Sequence, residues 1–254
     1  YAVATMNGTA ALHICLLLAG VKAADEVLMP TLTFIATANA VSYIAAIPNF
    51  VDSEPISLGI DASKLDAYLV QTAKIVDGVC VNRITGATIR AMVVMHVFGH
   101  PSDLDALAEV AARWKFVLIE DAAESLGSSY RGRHTGNVGT VSALSFNGNK
   151  VITTGGGGAV LTNDPILARR AKHLTTTART PHRWNFLHDE IGYNYRLPNL
   201  NAALGCAQLE RLPLMIERKR RLAARYQQAF ADVEGVRFLQ EPPATISNYW
   251  LNAI

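Results

Sequence analysis

The stretch AMVVMHVFGHPSDLDALAEVAARWKFVLIED, residues 91–121, decides the fold class of this chain. Its two ends, AMVVMHVFG and KFVLIED, are continuous apolar runs of the kind found in strands that are buried on both faces of a sheet. The segment between them predicts a helix, with Ser102 as its N-cap and Asp103 and Asp105 in its first turn. Strand, helix and strand in this order predict a βαβ unit within a parallel sheet.

The same alternation continues on both sides of this unit. Upstream, helices are predicted in NGTAALHICLLLAG, TFIATANAVSYIAA and DASKLDAYLV, and strands in VLMP and IPNFV. Downstream, strands are predicted in VSALSF and GAVLT, a helix in LPNLNAALGCAQLERL, and a basic amphipathic helix in LMIERKRRLAARYQQAF. We therefore predict an α/β fold with a mostly parallel, doubly wound sheet flanked by helices, in which ligands bind beyond the carboxyl ends of the strands.

A domain boundary is predicted near Pro213. Residues 1–212 would form a large domain, and residues 213–254 a bridging helix and the start of a smaller C-terminal domain. The chain begins at Tyr1 and ends within NYWLNAI, a pattern typical of the middle of a strand. We therefore expect a piece of a longer protein, with residues missing at both ends.

The composition argues against several classes of function. Half of the 254 residues are hydrophobic and 17% are charged, so the chain can bury a large core. The net charge of +2 gives no basis for a nucleic-acid or membrane partner. Three cysteines without metal-site spacing favour a cytoplasmic protein over a disulfide scaffold. The longest apolar run near the start is too short to span a bilayer, and no signal-peptide pattern is present.

Two charged residues follow predicted strands and could carry chemistry. Asp121 ends KFVLIED, where its carboxylate could pair with a cationic ring nitrogen or cap the segment that follows. Lys150 lies in SALSFNGNKVITTGGGGAVLT, residues 142–162, and a lysine in a partly dry pocket can form a Schiff base with an aldehyde. The glycines at 155–158 would let the backbone approach a ligand closely, although such a run also suits a flexible hairpin tip.

Two further features suit a phosphorylated, planar ligand. Gly8 and Thr9 open a predicted helix, whose first N–H groups could bind phosphate, although an ordinary capped helix start gives the same pattern. Phe34 opens the next helix and could pack in the core or cover a planar ring. A phosphate cradle, a stacking aromatic, a carboxylate at a strand end and a later lysine are the four groups that pyridoxal phosphate requires from a protein.

The chain resembles the pyridoxal-phosphate-dependent sugar aminotransferases of the DegT/StrS type, which have the aspartate-aminotransferase (fold type I) fold. The resembling segments occur in family order over nearly the whole chain. They are NGTAAL, PTLTFIATANAV, HVFGHPSDLD, LIEDAAESLGSSYRGRHTGNVG, LSFNGNKVITTGGGGAVLT and GYNYRLPNLNAALGCAQLERL. SFNGNKVITTGGGG and VNRITGATIRA are most similar to the subgroup that acts on nucleotide-linked 4-keto-6-deoxy sugars in nonulosonic acid synthesis.

The resemblance implies a role for each residue of the pocket. Lys150 would be the Schiff-base lysine and proton carrier, and Asp121 would pair with the pyridine nitrogen. Further residues would contact the phosphate and the ring of the cofactor. These are Gly8, Thr9 and Ser145 at the phosphate, Phe34 and Ala123 on the two faces of the ring, and Asn194, which would reach the phosphate in the neighbouring subunit's site.

Glu124 departs from the family pattern, which often has Gln or His at this place. A contact between Glu124 and the phenolic oxygen of the cofactor would bring two anions together unless one of them is protonated. Other polar residues keep two readings. His96 and His100 either line the pocket or are structural, and Arg196 either binds the carboxylate of the amino donor or forms an ion pair at a subunit interface. His134 receives no role.

The resemblance implies a cytoplasmic homodimer that transfers an amino group from L-glutamate to a keto group of a nucleotide-linked deoxy sugar. Two other functions stay open. One is a sugar dehydratase of the same fold, although such relatives replace the lysine with histidine, whereas this chain has Lys150. The other is a non-enzymatic, cofactor-binding regulator, although every core position of the site holds a chemically competent residue.

Overall fold

A mixed sheet organises the chain, and the computed structural model describes residues 1–254. The strands are, in chain order, β1 (Ala2–Thr5), β2 (Glu26–Pro30), β3 (Ile47–Val51), β4 (Ala73–Val76), β5 (Val79–Asn82), β6 (Ile89–Met95), β7 (Val117–Asp121), β8 (Ser129–Tyr130), β9 (Arg133–His134), β10 (Val141–Ser145), β11 (Gly158–Leu161), β12 (Arg179–Thr180), β13 (Leu187–His188) and β14 (Thr245–Ile246). The α-helices are α1 (Gly8–Leu18), α2 (Ile35–Tyr43), α3 (Ala62–Thr72), α4 (Leu104–Trp114), α5 (Pro165–Thr175), α6 (Asn199–Glu210) and α7 (Leu212–Ala229).

Seven strands form the main sheet in the order β1-β11-β10-β7-β6-β2-β3. Strands β10, β7, β6, β2 and β3 are mutually parallel, whereas β11 runs antiparallel to both of its neighbours. The predicted βαβ unit is β6-α4-β7, and its two strands are adjacent in the sheet. The prediction of a mostly parallel α/β sheet is therefore confirmed.

Helices cover both faces of this sheet, as a doubly wound fold requires. On one face, α1, α2 and α5 pack over Val93, Ile119 and Ala143. On the other face, α3 and α4 pack over Met92 and Leu118. Consecutive strand residues therefore enter opposite cores, which is why β6 and β7 need apolar residues at nearly every position. No helix has the length and apolar composition needed to cross a membrane.

Two local predictions were wrong. The N-cap of α4 is Asp103, whose side chain accepts a hydrogen bond from the Ala106 N–H, and not Ser102. Ser102 is buried, and its hydroxyl donates a hydrogen bond to the Met95 carbonyl at 2.9 Å. This bond ties the end of β6 to the turn that follows it. NYWLNAI is also not a strand, since residues 247–254 form an irregular segment that packs against loops.

The sequence analysis assigned no structure to residues 73–82, which form the antiparallel hairpin β4-β5. A buried carboxylate at the start of β2 holds the segment that follows this hairpin. Glu26 accepts hydrogen bonds from Asn82, from the Thr85 hydroxyl and, on the neighbouring strand β3, from Asn49. The charge of Glu26 is thus compensated by neutral donors and fixes one edge of the sheet.

The C-terminal segment returns to the main sheet after α7. Arg220 of α7 donates to both carboxylate oxygens of Glu241 and to the Ser247 carbonyl. Ser247 and Asn248 are fully buried, and they contact the turn at Gly99 and the loop that follows β7. The division of the chain at residue 212 stays a prediction, but Trp250 of this C-terminal segment lines the cavity described next.

Candidate active site

A cavity of about 290 Å³ lies beyond the carboxyl edge of the sheet. Met95, Asp121 and Ser145 line it, and they are the last residues of the adjacent parallel strands β6, β7 and β10. Eight of the nine predicted site residues surround this cavity: Gly8, Thr9, Phe34, Asp121, Ala123, Glu124, Ser145 and Lys150. These residues therefore meet at the carboxyl edge of the sheet, which is where a doubly wound sheet is expected to bind its ligand.

Asp121 forms the floor of the cavity. Its side chain is buried, and it accepts hydrogen bonds from the Thr37 hydroxyl at 2.8 Å and from the Ala123 N–H at 3.2 Å. Burial raises the pKa of the Asp121 carboxyl, and the two hydrogen bonds oppose this effect. A carboxylate has about four acceptor positions, so Asp121 keeps acceptor capacity for a cationic partner in the cavity.

Lys150 reaches the cavity from the turn that follows β10. Its Nζ lies 3.6 Å from a carboxylate oxygen of Glu124 and 3.9 Å from the centre of the Trp250 ring. The other Glu124 oxygen accepts a hydrogen bond from the Phe98 N–H at 2.9 Å. Burial raises the pKa of Glu124 to about 7, although Lys150 and the Phe98 N–H both act to lower it. Glu124 can therefore change its protonation state near neutral pH, which the Gln that the family often has at this place cannot do.

The start of α1 closes a third side of the cavity. The Asn7 side chain accepts from the Ala10 N–H at 2.7 Å, which leaves the N–H groups of Gly8 and Thr9 without a partner in the same turn. A side chain at position 8 would bring its Cβ within 2.8 Å of the Ser145 Cβ. Only glycine allows the first helical turn to lie this close to Ser145, so the three residues form one cradle of N–H and O–H donors.

The glycine run serves the same cradle. A Cβ at Gly158 would lie 2.6 Å from the Asn7 backbone and 2.7 Å from the Leu144 carbonyl oxygen. Gly155 has a positive φ of 78°, a backbone conformation that residues with a side chain rarely adopt. Gly158 therefore lets the start of β11 fit between the Asn7 backbone and β10, which brings the start of α1 to the end of the sheet.

Phe34 lies at the rim of the cavity and is 64% exposed. It is the N-cap residue of α2, and the same helix supplies the Thr37 hydroxyl that binds Asp121. An exposed phenyl ring beside a buried carboxylate suits a planar ligand that would cover both. Thr37 was missed in the sequence analysis, although its position one turn into the Phe34 helix gave the signal.

Asn194 and Arg196 do not join this cavity within one chain. They line a separate, more open cavity of about 660 Å³ beside the hairpin β12-β13, together with Arg179, His182 and Arg183. The contact of Asn194 with a neighbouring subunit stays a prediction. His134 is exposed on β9 and contacts neither cavity.

His96 and His100 are fully buried beneath the turn after β6 and do not line the cavity. His96 accepts from the Ser102 N–H through Nδ1, so its Nε2–H donates to Glu120 at 3.0 Å. Glu120 also accepts from three backbone N–H groups between Gly136 and Gly139. Burial alone would raise the pKa of Glu120, but these bonds hold it below its usual value. The pair is structural and fixes the loop before β10.

Trp250 was missed as a site residue because NYWLNAI was interpreted as a strand. Its indole N–H donates to the Asn149 carbonyl at 2.7 Å, and its ring lies under the Lys150 ammonium. Asn248 holds this position, since its side chain accepts from the Trp250 N–H and donates to the Glu124 carbonyl. Because Trp250 is far from Lys150 in the sequence, no local pattern predicts that the two side chains are in contact.

Comparison with known proteins covers the whole chain. The model of the DegT/DnrJ/EryC1/StrS aminotransferase family matches residues 1–254. GDP-perosamine synthase of Escherichia coli O157:H7 is 39% identical over 254 residues, which are 100% of this chain and 65% of that protein. EpsN of Bacillus subtilis (strain 168), named as a candidate pyridoxal phosphate-dependent aminotransferase, is 38% identical over 253 residues, which are 100% of this chain and 62% of that protein.

A solved structure agrees with these sequence relatives. DesV of S. venezuelae superimposes with a TM-score of 0.86 at 32% identity, over 99% of this chain and 63% of that one. The predicted aminotransferase fold is therefore confirmed. The chain spans less than two thirds of the length of each of these three proteins.

Proposed function

The chain belongs to the DegT/DnrJ/EryC1/StrS aminotransferase family, and on that premise we propose that it carries the catalytic centre of a sugar-nucleotide aminotransferase. The amino group would pass from L-glutamate to a keto group of a nucleotide-activated deoxy sugar. One observation carries this proposal: Asp121 and Lys150, which lie far apart in the sequence, line the same small cavity beside the start of α1. That arrangement suits one type of ligand, a phosphorylated ring with an aldehyde.

Pyridoxal phosphate is the cofactor of this family, as the sequence predicted. The residues present fit it. Gly8, Thr9 and Ser145 form a cradle that a Cβ at position 8 would fill, and phosphate is the group that such a helix start binds. Asp121 is buried with spare acceptor capacity, as a partner of a protonated ring nitrogen must be. When bound, the cofactor would supply an aldehyde carbon and an electron-withdrawing ring.

The side chains of this chain would divide the remaining work. Asp121 would hold a negative charge at the ring nitrogen, and the Thr37 hydroxyl and the Ala123 N–H would keep its carboxylate in place. Lys150 would anchor the cofactor through Nζ and, once released, would accept and return a proton at that atom. Phe34 and Ala123 would cover the two faces of the ring and exclude water from it.

The charges around the cavity support the proposal of a homodimer with shared sites. Lys150 is the only cation among the cavity-lining residues, which include the carboxylates Asp121 and Glu124. A phosphate dianion and the carboxylates of L-glutamate would need further positive charge. Asn194 and Arg196 lie in the second cavity with Arg179 and Arg183. We infer that the hairpin β12-β13 and Asn194 of one subunit complete the cavity of the other.

We propose a 4-keto-6-deoxy sugar of nonulosonic acid synthesis as the acceptor. Two segments, SFNGNKVITTGGGG and VNRITGATIRA, support this through their resemblance to that subgroup. The first segment surrounds Lys150, whereas the second anchors to Glu26 through Asn82 and Thr85 and does not reach the cavity. The free cysteines support the proposal of a cytoplasmic enzyme.

Absorbance spectroscopy of the full-length protein tests the proposal. With pyridoxal phosphate, the wild type should show the visible band of a lysine-bound cofactor, and L-glutamate should remove it and release 2-oxoglutarate. Lys150→Ala should show no such band and no turnover, whereas Lys172→Ala, at an exposed position of α5, should behave as wild type. Undiminished turnover in Lys150→Ala would refute the mechanism. A panel of keto-sugar nucleotides, with products assigned by NMR, would then test the acceptor.

A further inference from the structure

The Lys150 ammonium has two partners that the aminotransferase reaction does not by itself require. The Glu124 carboxylate lies 3.6 Å from Nζ on one side, and the centre of the Trp250 ring lies 3.9 Å away on the other. The Lys150 side chain is only 12% exposed, so water contributes little to the solvation of this charge. A carboxylate and an aromatic face are the two groups that best replace water around an ammonium.

These two partners belong to one hydrogen-bonded unit. The Asn248 side chain donates to the Glu124 carbonyl at 2.9 Å and accepts from the Trp250 N–H at 2.8 Å. The Trp250 indole donates to the carbonyl of Asn149, the residue before Lys150, at 2.7 Å. The ring therefore holds both the backbone before Lys150 and its Nζ. Hydrogen bonds that join buried groups in this way favour one fixed geometry of the two partners.

We propose that Glu124 and Trp250 form a dock that holds the free Lys150 ammonium during the part of each catalytic cycle in which the lysine is released from the cofactor. This inference rests on the proposed function, because a lysine that both anchors a cofactor and carries a proton must spend part of each cycle with a free Nζ. The dock keeps Nζ at the cavity wall, within reach of the reacting atoms. Glu124 and Trp250 are positioning residues for Lys150.

Glu124 makes the strength of the dock depend on pH. Burial raises the pKa of its carboxyl to about 7, the Asp121 charge adds to this, and Lys150 and the Phe98 N–H oppose it. Above pH 7 the carboxylate holds the ammonium by charge. Below pH 7 the protonated carboxyl loses that attraction, and the Trp250 ring remains as the partner of Nζ.

Acetylation of the cofactor-free, full-length protein by acetic anhydride tests the dock. Only a deprotonated amine reacts, so a docked ammonium is labelled slowly. The rate at Lys150 is measured by mass spectrometry, relative to the exposed Lys74 and Lys172 in the same sample. At pH 8, Glu124→Gln should be labelled about two- to fivefold faster at Lys150 than the wild type, because the loss of a nearby charge shifts the protonation equilibrium of the lysine by about that factor. Trp250→Leu should also react faster, and Trp250→Phe, which keeps an aromatic face, should react at a rate between the two.

A pH series separates docking from a structural effect. The ratio of the Lys150 rates in Glu124→Gln and wild type should approach one below pH 7, where the wild-type carboxyl is itself protonated. Glu109→Gln, at an exposed position of α4, is the matched control and should leave the rate unchanged. Equal Lys150 rates in Glu124→Gln and wild type at pH 8, or a ratio that does not change with pH, would overturn the dock.

These readouts need neither cofactor nor turnover. The dock can therefore fail while the absorbance test supports the aminotransferase, and the aminotransferase can fail while the labelling pattern supports the dock. Glu124→Gln keeps the shape of the side chain and an oxygen for the Phe98 N–H, so it preserves the fold even where Trp250→Leu does not.

Discussion

His100 should make the folded protein sensitive to mild acid. Its side chain is fully buried beside the Tyr249 ring, which it meets edge-on at 5.1 Å, and neither ring nitrogen has a hydrogen-bond partner. Burial lowers the pKa of His100 from 6.5 to about 4, and the Glu241 carboxylate opposes this only in part. The folded protein thus holds a neutral imidazole, because protonation would place an unpaired charge in the core.

The pKa difference sets the size of the effect. The unfolded chain takes up the proton as pH falls through 6.5, whereas the folded chain does so only near pH 4. The stability present above pH 6.5 is therefore lost progressively between these values. A difference of about 2.5 pKa units corresponds to about 3 kcal/mol of unfolding free energy, of which about 2 kcal/mol is lost by pH 5.

Equilibrium urea unfolding of the full-length protein at pH 7.5 and pH 5 measures this loss. His100→Phe should remove it: whatever the stability of the variant at pH 7.5, its unfolding free energy should fall by about 2 kcal/mol less than that of the wild type on going to pH 5. His100→Leu is the second variant, because the larger phenyl ring could strain the site. The same pH dependence in the wild type and both variants would refute the assignment of a neutral, buried His100.

Three further substitutions test the fold and the site. Gly8→Ala should weaken binding of pyridoxal phosphate at least tenfold in a spectral titration, because the new Cβ displaces Ser145 at a cost of about 2 kcal/mol; Gly148→Ala, where a Cβ meets no neighbour, is its control. Asp121→Asn should raise the unfolding free energy of the cofactor-free protein by about 1 kcal/mol, because it removes a buried charge, and it should weaken binding of the cofactor about 100-fold. A variant with both a lower unfolding free energy and weaker cofactor binding would contradict the role of the buried charge. Glu26→Ala should lower the unfolding free energy by about 2–4 kcal/mol, since it strands the donors of three side chains, yet leave the affinity for cofactor unchanged in the same titration.

The sheet and its edge were predictable from the sequence because their signals are local. The apolar runs of β6 and β7 follow from burial on both faces, and the carboxyl ends of parallel strands necessarily meet at one edge. Asp121 could therefore be placed at this edge before any contact was known, whereas Ser145 was assigned to the site only through the resemblance to the family. The segment opening at Gly8 was predictable for the same reason, since a helix start has donors whatever lies opposite.

The missed features depend on contacts between distant segments. Trp250 binds the Asn149 carbonyl across 101 residues of sequence, and nothing in NYWLNAI distinguishes an aromatic that packs in a strand from one that lies under a lysine. Ser102 and Asp103 are both good N-caps by type, and only the Met95 carbonyl decides that Ser102 points inward. The hairpin β4-β5, by contrast, did carry a local signal that was overlooked: its turn is Asp77-Gly78, and both residues have the positive φ that a two-residue hairpin turn requires.

The buried carboxylates identify the reactive edge without reference to any relative. Glu120 and Asp121 are consecutive residues whose side chains leave β7 on opposite faces. Glu120 accepts four hydrogen bonds, from His96 and three backbone N–H groups, and its pKa is lowered. Asp121 accepts two and Glu124 one, and burial raises the pKa of both.

The protein therefore saturates the carboxylate that faces its interior and leaves incomplete the two that face the cavity. A buried carboxylate with too few hydrogen-bond or charge partners lowers the stability of the fold, so such a group is expected where a ligand or a mobile charge supplies the missing partner. Under the proposed function, the missing partner of Asp121 would be the cationic ring nitrogen of the cofactor. The partner of Glu124 is the Lys150 ammonium, which the chain supplies itself and which the proposed catalysis would withdraw and return. The two neighbouring acids thus have different partners, and a substitution that neutralises one should not reproduce the effect of neutralising the other.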